Sequence, residues 1–442
     1  MPSSMTSSGP SSGPSSGPSS GPSSGPDGLA TAQRLFETLA RETADPPGIT
    51  RASYGAGEGL AHRLILAEGA RLGLERRVDP LGHSYLTLPG RDRAAPVLMV
   101  GSHLDSVPHG GNFDGAAGVV AGLVLLEHLA AGPPPPVDVT LMAIRAEEMI
   151  WFPEHYLGSR AAFGLLPRET PDRLRRADTG RTLADHMAEA GCDPAPIREG
   201  RATLDPARIR AFVEPHIEQG PVLVDRGIAV GIVTAIRGNR RYRYASIRGR
   251  TAHAGAVPRA ARRDAVLAGA ALAVALEAEW QRLEAAGHDL VLTIGQFATD
   301  AARHGITKVP GAVDLTLDFR SSDPATLDDF DGFLHRTAGA IAAERGVAVD
   351  LGHGTRAAEA AMHPRLRAEL AAAARAIRVP AVDIASGGGH DCAVFAGQGI
   401  PSAMLFVRND GGSHNPHEAM DPHDFAALCR VLCRWAKAHL AA

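Results

Sequence analysis

One stretch constrains this chain more than any other. Residues 97–100 form an apolar run after Pro96, and it leads into Gly101-Ser-His103-Leu-Asp105-Ser-Val-Pro-His-Gly-Gly-Asn-Phe-Asp114-Gly. The run reads as a buried strand. Residues 116–131 are rich in Ala, Leu and Val and read as a buried helix. A strand ending in His-x-Asp, a Gly-rich loop carrying a second Asp and then a helix make a cradle for metal. His103 supplies an imidazole nitrogen, and Asp105 can hold that ring in one tautomer. Asp114 has two oxygens and can bridge two ions. A lone His after a strand is more often an ordinary polar residue, so the reading depends on whether other segments supply matching groups.

Four do. The strand expected at 137–144 runs into Arg145-Ala-Glu147-Glu148. Adjacent carboxylates at the end of an apolar strand are costly unless they bind a cation or share a proton. One can be a ligand and the other a general base toward water. Val213-Glu-Pro-His216-Ile-Glu-Gln219-Gly, Gly249-Arg-Thr-Ala-His253-Ala-Gly and Gly412-Ser-His414-Asn-Pro-His-Glu418 each set a His beside Gly or Pro at the edge of an apolar run. The chain has 19 His, so several must be ordinary; His62 and His439 sit in helix-like surroundings, and His288, His304, His335 and His353 have no motif context.

Taken together, these segments resemble the binuclear zinc amidohydrolases of the aminoacylase/carboxypeptidase clan. More narrowly, they resemble the branch holding N-carbamoyl-L-amino-acid hydrolases, β-ureidopropionase and allantoate amidohydrolase. The resemblance rests on Gly-Ser-His103-Leu-Asp105-Ser-Val-Pro, Gly-Gly-Asn-Phe-Asp114-Gly, Glu214-Pro-His216-Ile-Glu-Gln219-Gly-Pro, Ala-His253-Ala-Gly, Arg262-Arg263-Asp264-Ala, Ser386-Gly-Gly-Gly-His390-Asp391 and Ser413-His414-Asn-Pro. They occur in the family's order from about residue 30 to the C-terminus, a joint match far more specific than any one motif.

The resemblance implies that His103 and His216 bind one metal, Glu148 and His414 the other, and that Asp114 bridges them. It implies Glu147 as general base, Asp105 as the group orienting His103, and Gln219 and Arg320 as substrate contacts, Arg320 meeting a carboxylate. It implies that His253 reaches across a homodimer to polarise the scissile carbonyl in the neighbouring site. Such a donor set suits two divalent ions per subunit, Zn²⁺ first, with Mn²⁺, Co²⁺ and Ni²⁺ open. An imidazole such as His253 can stabilise an oxyanion, and an Arg can clamp a carboxylate through its fork.

Three departures bear on substrate. Glu148 is followed by Met149-Ile150-Trp151-Phe152-Pro153, with Trp151 where the family commonly has Arg. Thr307 stands two residues before Val309-Pro310-Gly311, where carbamoylases carry an Asn that binds the carboxylate side of the substrate. Gly255-Ala256-Val257-Pro258 replaces a segment that usually carries two Thr. Arg237, Arg240, Arg241 and Arg243 crowd one expected strand, which suits either an acidic substrate or a solvated strand face; the second is the simpler expectation.

Composition excludes other classes. A formal net charge of -4 gives no reason to expect nucleic acid. No apolar run approaches the ~20 residues of a transmembrane helix. The four cysteines, Cys192, Cys392, Cys429 and Cys433, are sparse enough to suggest a reducing, cytoplasmic setting. Cys429 and Cys433 lie four apart on a helix expected at 422–441 and read as packing residues.

The expected fold is α/β: a catalytic domain with a mixed, mostly parallel sheet flanked by helices, plus an inserted α+β lid and dimerisation domain. Five Ser-Ser-Gly-Pro repeats at 7–26 cannot build a core, so 1–27 is an expected disordered tail. The catalytic domain is expected over 28–235 and 350–442, with the lid over 236–349. Within the lid, strands are expected at 242–250, 291–297 and 313–319 and helices at 260–286 and 327–345. The expected reaction is hydrolysis of a linear non-peptide C–N bond in a small N-carbamoyl or ureido acid or a related amide. An N-acyl-amino-acid hydrolase or dipeptidase is the alternative, and a non-catalytic binding protein on the same scaffold a more distant one.

Overall fold

The run at 97–100 becomes the middle of the strand Val97–His103, the centre of a nine-stranded sheet. The structure is a computed structural model describing residues 28–441, so the tail expected at 1–27 lies outside the described residues. Val97–His103 runs parallel to Val139–Ile144 on one side and to Ile209–Ile217 on the other. Ser402–Val407 continues the parallel set beside Ile209–Ile217. Beyond it, Val230–Ile236 reverses direction, and Ser84–Leu88 and Glu75–Val78 close the far edge antiparallel. The sheet is thus mixed and largely parallel. Its central strands are buried on both faces, which accounts for continuous apolar runs rather than alternation.

Helices cover both faces. Gly28–Glu42, Ala116–Ala130, Pro364–Ala376 and Pro422–Ala441 share one core, which takes in Cys429, Cys433 and the fully buried Trp435. Each fully buried Leu or Phe there contributes about 2 kcal/mol by leaving water. Ala116–Ala130 is the innermost helix, and its glycines decide how deep it sits. A Cβ on Gly118 would lie 1.9 Å from the carbonyl oxygen of Pro215, on the strand carrying His216. The opposite face is aromatic, with Phe212 and Phe395 stacked at 3.7 Å.

A second, five-stranded sheet is wholly antiparallel: Val291–Ala298, Ala312–Ser321, Gly238–Arg248 and Ala348–Asp350 in order, with Gly354–Ala357 also on Gly238–Arg248. It therefore draws residues from beyond 349. Ala312–Ser321 alternates, and the buried side faces the helices Ala265–Ala285 and Pro324–Arg345. The first helix begins at 265 rather than at 260. Arg259–Ala261 is a separate 3-10 turn, and Asp264 caps the helix by accepting from the Val266 and Leu267 amides at 3.0 and 3.1 Å. The second begins three residues earlier than its apolar pattern suggests. Asp323 caps it, and Pro324 fits the first turn. Among the described residues no helix is long and apolar enough to cross a membrane, and all four cysteines are free thiols.

Candidate active site

The carboxyl ends of four neighbouring strands converge on one point, the usual location for sites in such sheets. His103 ends Val97–His103, and His216 lies near the end of Ile209–Ile217. Glu147 and Glu148 follow Val139–Ile144 after Ala146, whose φ of 55° turns the chain sharply. His414 sits in the loop after Ser402–Val407, also at positive φ. Asp114 enters from the Gly loop just before Ala116–Ala130. Between them, Gly115 lies at φ 63°, and a Cβ there would be 2.5 Å from the His103 ring.

Two ligand-like groups result: His103, Asp114 and His216 in one, Asp114, Glu148 and His414 in the other, with Asp114 common to both. Nε2 of His103 and of His216 lie 3.5 and 3.2 Å from Asp114 Oδ1. Nε2 of His414 is 3.4 Å from Asp114 Oδ2 and 3.6 Å from Glu148 Oε1.

The hydrogen bonds around these groups test whether a cation fits. His216 Nδ1 is 2.9 Å from the Ile217 carbonyl, and His103 Nδ1 is 3.1 Å from the Asp105 carbonyl. A carbonyl only accepts, so both Nδ1 atoms carry hydrogen, and in the neutral rings Nε2 keeps its lone pair. The two Nε2 atoms face each other at 3.4 Å, with the Gly115 amide donating to that of His216 at 3.2 Å. Asp114 Oδ1 and Glu148 Oε1 are buried without a hydrogen-bond donor. Lone pairs and orphan carboxylate oxygens facing one another are repulsive unless a cation lies among them, so the set fits divalent metal.

The electrostatics agree. Burial pushes Glu148 up to about 8, helped by the Asp114 charge. Glu147 is pushed well above the carboxylate range by burial and then by Glu148, although the charge of His103 opposes this. Burial disfavours a charge on Asp114, but the imidazoles of His103, His216 and His414 beside it outweigh this and hold Asp114 well below its usual range. The Asp114 hydrogen bond lifts His414 to about 9. The surplus of carboxylate thus recruits protons onto imidazoles, the weak form of what a metal ion supplies.

Supporting residues fix this geometry. Asp105 lies 3.4 Å from His103 Nδ1 and accepts from the Glu147 and Glu148 amides at 3.1 and 3.0 Å and from Ser53 Oγ at 2.6 Å. Glu418 accepts from the Phe113 amide and Ser413 Oγ at 2.7 and 2.8 Å. Arg51, wholly buried, pins the Leu104 carbonyl and Asn112. The Ser386-to-Asp391 motif lies beside the site: His390 packs edge-on to His216 at 4.4 Å, and Asp391 accepts from Ser159 Oγ at 2.5 Å. Cys392 is buried, its amide donating to Glu214 at 2.7 Å.

The other expected residues divide. Glu147 lines the cavity with its carboxylate free of hydrogen bonds among the described residues. Gln219 Nε2 donates to Asp114 Oδ2 at 2.9 Å. Arg320 lines the cavity from the second sheet, paired with Asp318 at 2.9 Å. Arg237 and Arg241 join it there, held by Asp289 and Asp318, so this strand is not merely a solvated face. Arg240 points away to Asp328. His253 is exposed on the short Ala252–His253 and Lys308–Val309 pairing, and Thr307 is exposed just before it, its carbonyl accepting from the Ala254 amide at 2.9 Å; both lie outside this cavity. Trp151 does not reach the cavity either; its Nε1 donates to the Ser106 carbonyl at 2.7 Å and pins the loop. His155 and Asn239 line the cavity and escaped the sequence reading. Burial and then Arg241 hold His155 down at about 4, and its Nε2 accepts from Arg241 at 3.3 Å. Extending the loop comparison past Pro153 was the available signal for His155; Asn239 had none beyond its place among the arginines.

Known proteins match this chain across nearly its whole length. The profile of peptidase family M20/M25/M40 matches residues 99–438. An N-carbamoyl-L-amino-acid amidohydrolase from Paenarthrobacter aurescens is 35% identical over 92% of this chain and 98% of its own. An allantoate amidohydrolase from Escherichia coli (strain K12) is 33% identical over 88% of this chain and 92% of its own. The crystal structure of an amidase of the hydantoinase/carbamoylase family from Burkholderia multivorans superposes with a TM-score of 0.83 at 28% identity, covering 95% of this chain and all of that one. A match of this extent, on a chain whose strand ends gather the same cluster of His, Asp and Glu, makes this protein a member of peptidase family M20/M25/M40, on its amidohydrolase branch.

Proposed function

We propose that this enzyme hydrolyses the C–N bond of a small N-carbamoyl or ureido acid, using two divalent ions per subunit. The observation carrying this reading is the single Asp114 carboxylate shared by two ligand groups, with the unpaired Glu147 beside them. The names of the relatives, which act on carbamoyl amino acids and allantoate, supply the substrate class. His103 and His216 hold one ion and Glu148 and His414 the other, with Zn²⁺ the first choice for this donor set and Mn²⁺, Co²⁺ or Ni²⁺ able to replace it. When bound, such ions polarise a carbonyl and bring the pKa of water toward neutrality.

The chain's own residues do the rest. Glu147 takes a proton from the attacking water as its oxygen bonds to the carbamoyl carbon. It returns that proton to the nitrogen as the C–N bond breaks. Asp105 orients His103 and fixes the Glu147–Glu148 peptide. Arg320 and Arg241 share Asp318 and present their remaining donors to a substrate carboxylate, with Gln219 alongside. The position of His253 and Thr307 outside their own chain's cavity supports a homodimer in which the lid of one copy completes the site of the other. In this division, 28–235 and 350–442 make the catalytic domain and 236–349 the lid, to which the strand Gly354–Ala357 adds an edge. The four free thiols suit a cytoplasmic setting.

The test is product release by mass spectrometry, with metal-loaded and chelated enzyme side by side. The panel holds N-carbamoyl amino acids, ureido acids, allantoate, N-acyl amino acids and dipeptides. Metal-dependent cleavage of a carbamoyl or ureido compound is expected. Cleavage of acyl or peptidyl compounds alone overturns the substrate class.

A further inference from the structure

Arginines elsewhere in this chain are commonly neutralised by a neighbouring carboxylate, as Arg145 is by Glu58 and Arg237 by Asp289. Five arginines without such a partner share one place. Arg250, Arg259, Arg262, Arg263 and Arg345 line a cavity of about 700 Å³ at one end of the second sheet. None of the five forms an ion pair among the described residues. Two carboxylates share the cavity, Asp264 and Glu344. The first is engaged, its oxygen accepting from the Val266 and Leu267 amides. Five positive charges against two negative leave three positive in a chain whose formal net charge is -4.

The backbone enforces this crowding. The Arg250 amide donates to the Arg263 carbonyl at 2.9 Å, which sets the two stems side by side. Arg263 Nε passes 3.6 Å from where a Cβ of Gly346 would be, next to Arg345. Arg345 Nε is shut off from water with no hydrogen-bond partner. Two are engaged: Arg250 donates to the Ala261 carbonyl at 3.3 Å, and Arg262 donates to the Val257 carbonyl at 2.9 Å and to that of Ala254. The bonds of Arg262 tie the cavity to the turn that follows His253. Arg259, Arg263 and Arg345 keep every donor of their forks unused among the described residues. Clustered like charges weaken a fold through self-repulsion, and planar guanidinium forks match paired oxyanion oxygens. The volume lies within the range of small-ligand pockets.

We propose that this cavity binds a small, multiply charged oxyanion of the class that carries two or three phosphate groups. The site is separate from the metal cluster, since none of its arginines lines that cavity.

Isothermal titration of the metal-loaded full chain with inorganic pyrophosphate tests it. Equimolar Mg²⁺ and constant chloride keep the resident metals in place and the screening fixed. Wild type is compared with Arg259→Gln/Arg345→Gln and with Arg173→Gln, a control whose side chain is 79% exposed and far from the cavity in sequence. Saturable binding, one per chain, is expected in wild type and control, with affinity lower by about ten-fold or more in the double variant. Arg259→Gln alone lies on an exposed turn, where its side chain makes no hydrogen bond, and keeps the test decisive if the double variant fails to fold. Its expected loss is about three-fold or more. No saturable binding in wild type, or equal affinity in all variants, overturns the proposal.

Discussion

Gly115→Ala tests the site through backbone geometry, without touching a ligand. Gly115 has φ 63° and ψ -47°, outside even the left-handed region that L-residues occasionally visit. A methyl group there meets Nδ1 and Cε1 of His103 at 2.5 Å, where ordinary contact begins at 3.4 Å. Either the ring retreats by about 0.9 Å or the loop carrying Asp114 does, and both lie at the shared end of the two ligand groups. The left-handed region alone costs roughly 1–2 kcal/mol, and a ligand displaced by about 1 Å can cost ~100-fold in rate. Moving His103 off its Asp105 anchor lowers metal affinity by roughly 10–100-fold. Expected, then, are substoichiometric metal by elemental analysis after dialysis, kcat/KM down about 100-fold, and a Tm lower by several degrees. Gly227→Ala is the control. It has the same φ of 63° but sits in the left-handed region at ψ 30°, with nothing within 4 Å of a Cβ, so it carries the milder positive-φ strain without the clash. Full metal content and wild-type kcat/KM in Gly115→Ala would refute the placement of His103 as a ligand. Equal losses in both variants would trace the effect to strain alone.

Three further outcomes follow from the same geometry. Glu147→Gln keeps the metal and the fold but lowers kcat by roughly 10²–10⁴-fold; turnover near wild type in steady-state assays removes Glu147 as the base. His253→Ala loses most activity at unchanged metal content, and mixing it with Glu147→Gln restores part of it if His253 serves the neighbouring copy; no recovery in confirmed heterodimers counts against that. Glu58→Ala strands Arg145, whose side chain is 7% exposed, and also removes the acceptor of the Tyr54 and Ala146 amides. It should cost about 3–5 kcal/mol in urea unfolding, and a loss below about 1 kcal/mol shows that Arg145 finds another partner.

How far a site can be read from sequence depends on how its geometry is encoded. His103, Asp105 and Asp114 belong to one strand–loop–helix unit. Glu148, His216 and His414 each sit at or just beyond the end of an apolar run. A parallel sheet brings such ends together whatever fills the rest of the chain, so local pattern sufficed for them. Glu418 and Arg51 hold the same cluster, but through contacts 305 and 53 residues apart in the chain, and no local pattern marks those. The start of Ala265–Ala285 went wrong for a different reason. Ala-rich sequence on both sides of Asp264 has the same propensity, and the boundary is set by one cap.

The arginine strand marks where local pattern stops. Alternation along Gly238–Arg248 predicts that Arg241 and Arg240 face opposite ways, and they do, one into the cavity and one to Asp328. Which of the two faces meets substrate depends on how the second sheet lies over the first, and no periodicity carries that. The end of the site that gathers the His, Asp and Glu groups therefore belongs to one sheet and was legible. The end proposed to recognise the substrate acid is built between two sheets, from Arg237, Arg241, Arg320 and His155. Substrate choice within the carbamoyl and ureido acids should accordingly respond to changes at His155 and Arg241 as KM effects, with kcat and metal content held by the other sheet.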